Sequence, residues 1–177
     1  ELMGGEIGLE SEEGKGSTFW FTAVFSKHTG PETIRGETDM DLDGRKILMA
    51  ASNRKERARW SECLNHRNCR TLETSLGREA LTLLDESALS GEPFDLILMS
   101  FHVSDMSGLE LAEEVRKKKN VHGIPIILMT CVGKIGDCGL CRQKGIDGYL
   151  SKPYSEKDLL GVIELVLTPL EGEHRLE

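Results

Sequence analysis

The chain has 177 residues, with 22 Lys and Arg against 30 Asp and Glu, a formal net charge of −8, and 38% hydrophobic residues beside 19 glycines. This balance is that of a soluble globular chain and excludes collagen, coiled coil and wholesale disorder; the acidic surplus argues against a nucleic-acid surface, which needs clustered Lys and Arg facing phosphates. No apolar run reaches the roughly 18 residues of a membrane span, no signal-peptide pattern opens the chain, and 5 cysteines at low density fit reduced thiols in a cytoplasmic setting better than a disulfide framework.

Residues 1–27 hold two strand-like runs, 6–11 and 17–25, around Gly14-Lys15-Gly16, with Phe19 and Phe21 alternating against Trp20. The pattern predicts a β-hairpin. An isolated hairpin buries too little apolar surface to be stable in water, so this one reads as cut from a larger unit. Residues 28–44 are rich in Gly, Pro, Thr and acids without apolar periodicity, the composition of a linker.

From residue 45 onward, short apolar runs alternate with helical periodicity, the signature of βαβ units on a parallel sheet. Strands are predicted at 47–51, 69–74, 96–99, 124–129 and 149–151. The first, third and fourth lack polar alternation, as expected of central strands covered on both faces. Helices are predicted at 54–66, 76–89, 108–119, 137–144 and 155–167. The last opens with Ser155 and carries Asp158 three residues on, a capping-box variant, and stops before Pro169. Gly133, Gly136 and Gly139 weaken the fourth, which is expected to start late, near Asp137, and to be short. The fold class is therefore α/β, a five-stranded doubly wound parallel sheet over residues 45–168, with 169–177 as a tail.

Ligands of such sheets bind beyond the carboxyl ends of the central strands, where successive connections switch face. The strand ends there are Ala51 and Ser52, Ser100, Thr130, and Lys152 followed by Pro153.

Four ordered stretches carry a resemblance: Ile47-Leu48-Met49-Ala50-Ala51-Ser52-Asn53; Phe94-Asp95-Leu96-Ile97-Leu98-Met99-Ser100 with Asp105-Met106-Ser107-Gly108-Leu109-Glu110; Ile124-Pro125-Ile126-Ile127-Leu128-Met129-Thr130; and Gly145-Ile146-Asp147-Gly148-Tyr149-Leu150-Ser151-Lys152-Pro153. Residues 46–167 resemble a receiver domain of two-component signalling, of flavodoxin-like fold. The resemblance implies an acidic pair after the first strand and a phosphoacceptor aspartate after the third, where this chain has Ala51, Ser52 and Ser100. It likewise implies that Thr130, Tyr149 and Lys152 stand where the family keeps a switch hydroxyl, a switch aromatic and a phosphate-facing lysine. Mg²⁺ is a hard ion that wants carboxylates and waters, so no metal is expected here. A neutral serine without an adjacent base makes a poor phosphoryl acceptor. Lys152, lacking those carboxylates, is expected to turn to solvent, bond backbone carbonyls or find Asp105.

A second resemblance lies in the N-terminal zone. Leu2-Met3-Gly4-Gly5-Glu6-Ile7 through Gly14-Lys15-Gly16-Ser17-Thr18-Phe19-Trp20-Phe21 is similar to the closing end of a histidine-kinase ATP-binding domain, including its last glycine motif. This implies that Gly14, Gly16, Ser17 and Thr18 are the remnant of a nucleotide loop, incomplete for ATP binding or kinase activity here. The order of kinase end, linker and receiver is that of a hybrid sensor histidine kinase.

The expectation is a cytoplasmic, non-enzymatic signalling fragment without cofactor, metal, nucleic-acid or membrane contact of its own, compatible with a place in a membrane-bound sensor kinase. It would act by phosphorylation-independent interaction with kinase domains or a dimer mate through its fourth and fifth helices and fifth strand. An alternative is a thiol redox or soft-metal sensor using Cys131, Cys138 and Cys141, the last two forming a C-x-x-C at a predicted helix start. Asp137 adds negative charge there, and a zinc site wants four ligands. Cys63 and Cys69 read as core residues. A flavin site is discounted because the loop 51–56 has no glycine to cradle phosphate. The basic run 116–119 reads as a favourable end to the third helix.

Overall fold

Gly14 and Gly16, at φ of +80° and +105°, turn the chain between β1 (Ile7–Glu12) and β2 (Gly16–Phe21), an antiparallel pair in the computed structural model. Residues 4–12, 14, 16–22, 24, 41–131 and 142–168 are described. Two compact units separate, Glu1–Gly36 and Glu37–Glu177. In the first, Ile7 pairs with Phe21 and Leu9 with Phe19, which places all four side chains on one face. Trp20 lies on the other, against Gly8. The four are 57–83% exposed.

The second unit is one parallel sheet. Its strands are β3 (Lys46–Ala50), β4 (Arg70–Thr74), β5 (Leu96–Ser100), β6 (Ile126–Cys131) and β7 (Gly148–Lys152), in the order β4-β3-β5-β6-β7. The three continuous apolar runs are thus the three central strands, each buried along nearly its whole length. Successive side chains point to opposite faces, and both faces are covered. On one, Ile47, Met49, Leu96, Leu98, Ile127 and Met129 pack with α1 (Arg54–Asn65) and the last helix, here α4 (Glu156–Leu167). On the other, Leu48, Ala50, Ile97, Met99, Ile126 and Leu128 pack with α2 (Gly77–Leu89) and α3 (Gly108–Lys117). Cys63 and Cys69 are buried in the first of these layers, and so is Leu42, from the segment read as linker, whose carbonyl accepts from the Cys69 thiol.

Helix starts follow from local chemistry. Asn53 caps α1 by accepting from Lys55 N–H at 2.9 Å. Ser107 with Glu110, and Ser155 with Asp158, close reciprocal capping boxes on α3 and α4. The α2 start lacks a side-chain cap of its own; Asp105, from the β5–α3 loop, accepts from Gly77 N–H at 2.6 Å and Arg78 N–H at 3.1 Å instead. The fourth predicted helix, 137–144, lies mostly outside the described residues.

Arg116 differs from its expected role as a mere basic helix end. Its guanidinium donates to the carbonyls of Gly145 at 2.8 Å, Ile124 at 2.7 Å and His122, and pairs with Asp147 at 2.6 Å. It joins α3 to the approach of β7.

Candidate functional site

Neighbouring strands β3 and β5 lead to helices on opposite faces, so the crevice of this sheet opens at their carboxyl ends. Ala51 is fully buried there, its N–H bonded to Thr74 O. Ser52 Oγ donates to His102 O at 3.0 Å, which occupies its proton within the backbone frame. Ser100 is buried, and Gly108 lies so close beneath it that a Cβ would stand 2.5 Å from Ser100 O and 2.7 Å from Leu128 Cδ1. Thr130 is buried one position before the end of β6, its hydroxyl donating to Cys131 O. Tyr149 is half exposed on β7. Lys152 ends β7 with Nζ 3.5 Å from Ser100 Oγ. Thus Ala51, Ser52, Ser100, Thr130 and Lys152 gather at one end of the sheet, while Tyr149 lies further back along β7.

The Lys152 partner corrects the sequence expectation. Its Nζ lies 2.5 Å from Glu56 Oε1, neither turned to solvent nor paired with Asp105, whose carboxylate is committed to the α2 start. The Glu56 side chain is only 9% exposed and Lys152 32%. The contact is an ion pair by distance without hydrogen-bond alignment, so the buried Oε1 receives no directed donor. A carboxylate therefore does reach this pocket, from the first turn of α1. Sequence reasoning missed it, although a signal existed. Glu56 stands one helical turn before Trp60 and two before Cys63 and Leu64, the buried stripe of α1.

Two further contacts frame the pocket. Arg57 Nη1 donates to Ala51 O at 2.5 Å while its Nε holds Glu73 at 3.0 Å, which fixes the β3–α1 loop against β4. Trp60 Nε1 donates to Tyr154 OH at 2.7 Å, tying α1 to the turn before α4. Burial pushes the Tyr154 phenol up; the Trp60 bond works against this and the charge of Glu56 with it. For Asp105, burial raises the carboxyl's pKa, but bonds from Gly77 and Arg78 N–H outweigh it and hold the group below the usual range.

The other candidate groups do not join this site. Ser17 and Thr18 are exposed on β2, with Ser17 Oγ 2.7 Å from Ser11 Oγ. Cys138 and Cys141 lie outside the described residues, and Cys131 is exposed at the end of β6, beside Lys152 in register. Burial, before any neighbouring charge, pushes the thiols of Cys63 and Cys69 up to about 12 and about 11, which makes them inert. Among the described residues no group of His, Cys, Asp and Glu is arranged to hold a metal, and no helix is long and apolar enough to cross a membrane.

The profile of the response regulator receiver domain matches residues 47–164. The chain belongs to the receiver family of two-component signalling. It is 30% identical over 122 residues to the transcriptional regulatory protein CpxR of Klebsiella pneumoniae, covering 69% of this chain and 49% of CpxR. It is 28% identical over 169 residues to the aerobic respiration control sensor protein ArcB of Escherichia coli, covering 92% of this chain and 20% of ArcB. The chain thus spans about half or less of these two relatives. Among solved structures, the receiver domain of the sensor histidine kinase PA1611 of Pseudomonas aeruginosa, with a magnesium ion coordinated in its active-site cleft, shares the fold. Its TM-score is 0.61 at 24% identity, over 70% of this chain and 98% of that one. The receiver is a signalling module and not itself a catalytic domain.

Proposed function

We propose that this receiver works without phosphorylation, as a protein-interaction module of a hybrid sensor histidine kinase. The observation that carries the reading is the identity of the groups at the crevice. Ala51 offers no side-chain ligand, the Ser52 hydroxyl is turned to His102 O, and Ser100 presents a neutral hydroxyl to Lys152. A hard divalent ion needs oxygen ligands bearing charge, and Glu56, the carboxylate within reach, is already held by Lys152. The residues present do not fit Mg²⁺. Without it, the charge that develops on a transferring phosphoryl group has one ammonium to neutralise it, and Ser100 has no base to take its proton.

In this reading the sheet and its helices hold one conformation and present it to a partner: a kinase domain or a second copy, through the region of the fourth and fifth helices and the fifth strand of the receiver. The hairpin would be the closing end of an ATP-binding domain, at residues 1–27, joined by a linker to the receiver at 45–168. Two facts support this. The ArcB match covers too much of the chain to leave out β2, and Ile7, Leu9, Phe19 and Phe21 form an exposed apolar face that two strands alone cannot bury. The module would then lie in the cytoplasm.

The test is phosphotransfer from a phosphorylated histidine donor with Mg²⁺ present, read by intact mass. The reading expects no phospho-adduct. An adduct on Ser100 at the rate of an aspartate-bearing receiver run in parallel contradicts it.

A further inference from the structure

Lys152 brings its ammonium into the crevice, 3.5 Å from Ser100 Oγ, and a cation with two-thirds of its side chain withdrawn from water is stabilised by a counter-charge. With the strand ends bearing Ala51, Ser52 and Ser100, that charge comes from elsewhere. We propose that Glu56 is a built-in counterion: its carboxylate occupies the place beside Lys152 Nζ that an oxyanion from solution would otherwise take, and so fixes the β7–α4 turn against α1. The proposal rests on the reading that this pocket works without a phosphoryl group, and deepens it by naming what fills the pocket instead.

Three observations converge. Glu56 is nine-tenths buried although it belongs to the first turn of a surface helix, and the face it shares with Trp60 points inward. Its contact with Lys152 is repeated a turn further along α1 by the bond between Trp60 and Tyr154, so residues 152 and 154 are each fastened to α1. Beside the pair lies an open cleft of about 320 Å³ lined by Asn53, Lys55, Glu56, Arg59, Lys152 and Tyr154, together with Pro153. Lys55 and Arg59 have no ion-pair partner among the described residues, so the cleft is cationic except for Glu56. Such a cleft attracts anions, and the one that wins is already attached. A tethered carboxylate gives up no translational freedom to reach Lys152, whereas a free phosphate does.

The test uses the full chain and inorganic phosphate, titrated at constant ionic strength while amide spectra are recorded. Wild type is expected to show no saturable shift at residues 53–59 or 152–155. Glu56→Gln keeps the shape and removes the charge, which frees Lys152; it is expected to bind phosphate at those residues roughly tenfold or more tightly than wild type, since one charge-assisted hydrogen bond is worth at least a decade of affinity. Glu56→Gln combined with Lys152→Gln should lose that gain. A wild type that binds phosphate as tightly as Glu56→Gln, or a folded Glu56→Gln with no gain, overturns the proposal. A measurement on wild type keeps the question open to refutation if the variant fails to fold. The Lys152 ammonium resonance should exchange with water more slowly than that of Lys55, and equal rates refute the pairing. None of these readouts registers a phospho-adduct on Ser100, so the failure of this proposal is distinct from failure of the functional reading.

Discussion

Substituting Tyr154→Phe isolates the contact that ties α1 to the start of α4. The phenol accepts from Trp60 Nε1 at 2.7 Å, and Trp60 is 1% exposed, so the indole N–H loses its protein acceptor when the hydroxyl is removed. Leaving one buried donor unsatisfied costs about 1–3 kcal/mol. For a unit of this size that corresponds to a fall in melting temperature of about 2–4 °C per kcal/mol. Trp60→Phe removes the donor but also opens space in the layer formed with Leu64, Leu159 and Ile163, so it should cost more than Tyr154→Phe. In the double variant the orphaned donor no longer exists. The two effects should therefore fall short of additive by about 1 kcal/mol. Urea denaturation of the four proteins, with the slope unchanged, measures this. A Tyr154→Phe stability within about 0.3 kcal/mol of wild type, or strict additivity, refutes the idea that this bond fastens the helix.

The remaining expectations concern other joints of the structure. Because Asp105 has a depressed pKa in the folded chain, its contribution is present above its unfolded value, near 3.9, and lost as pH falls through the lower folded value. Asp105→Asn should therefore flatten the decline of melting temperature below about pH 4 and, by weakening the α2 cap, cost about 0.5–2 kcal/mol at neutral pH; an unchanged acid profile counts against the cap. Arg116→Ala removes donors to three carbonyls and the Asp147 pair, with an expected loss of about 2–4 kcal/mol in urea denaturation; a loss below about 0.5 kcal/mol would make it an ordinary surface residue. Cys63 and Cys69, with thiols raised to about 12 and about 11, should label with an alkylating reagent at pH 8 far more slowly than exposed Cys131, as peptide mass spectrometry would read; equal rates contradict their burial.

The central strands were legible because a strand covered on both faces must be apolar at every position, and Ile47 to Ala50, Leu96 to Met99 and Ile126 to Met129 are. The Ser155 and Asp158 cap was legible because both partners lie within one helical turn. The pairing of Glu56 with Lys152 was not, since the partners are 96 residues apart and a glutamate in the first turn of a helix ordinarily faces water. The same holds for Asp105, whose partners on α2 lie 28 and 27 positions earlier, so its donors come from another element altogether. Apolar periodicity reports which face of an element is inside. It does not report which charged side chain is drawn in by a distant counter-charge. The strand ends themselves, Ala51, Ser52, Ser100, Thr130 and Lys152, came together as topology requires once the order of the strands was known.

The crevice at the ends of β3 and β5 is where a divalent ion would have to bind. Titrating Mg²⁺, alone and with beryllofluoride, into the isotopically labelled chain while following amide resonances tests it most directly. No saturable change is expected at residues 51, 52 and 100–102, because neutral side chains and an ion-paired carboxylate give the ion nothing to bind. Saturable shifts centred on Ser100 would contradict it.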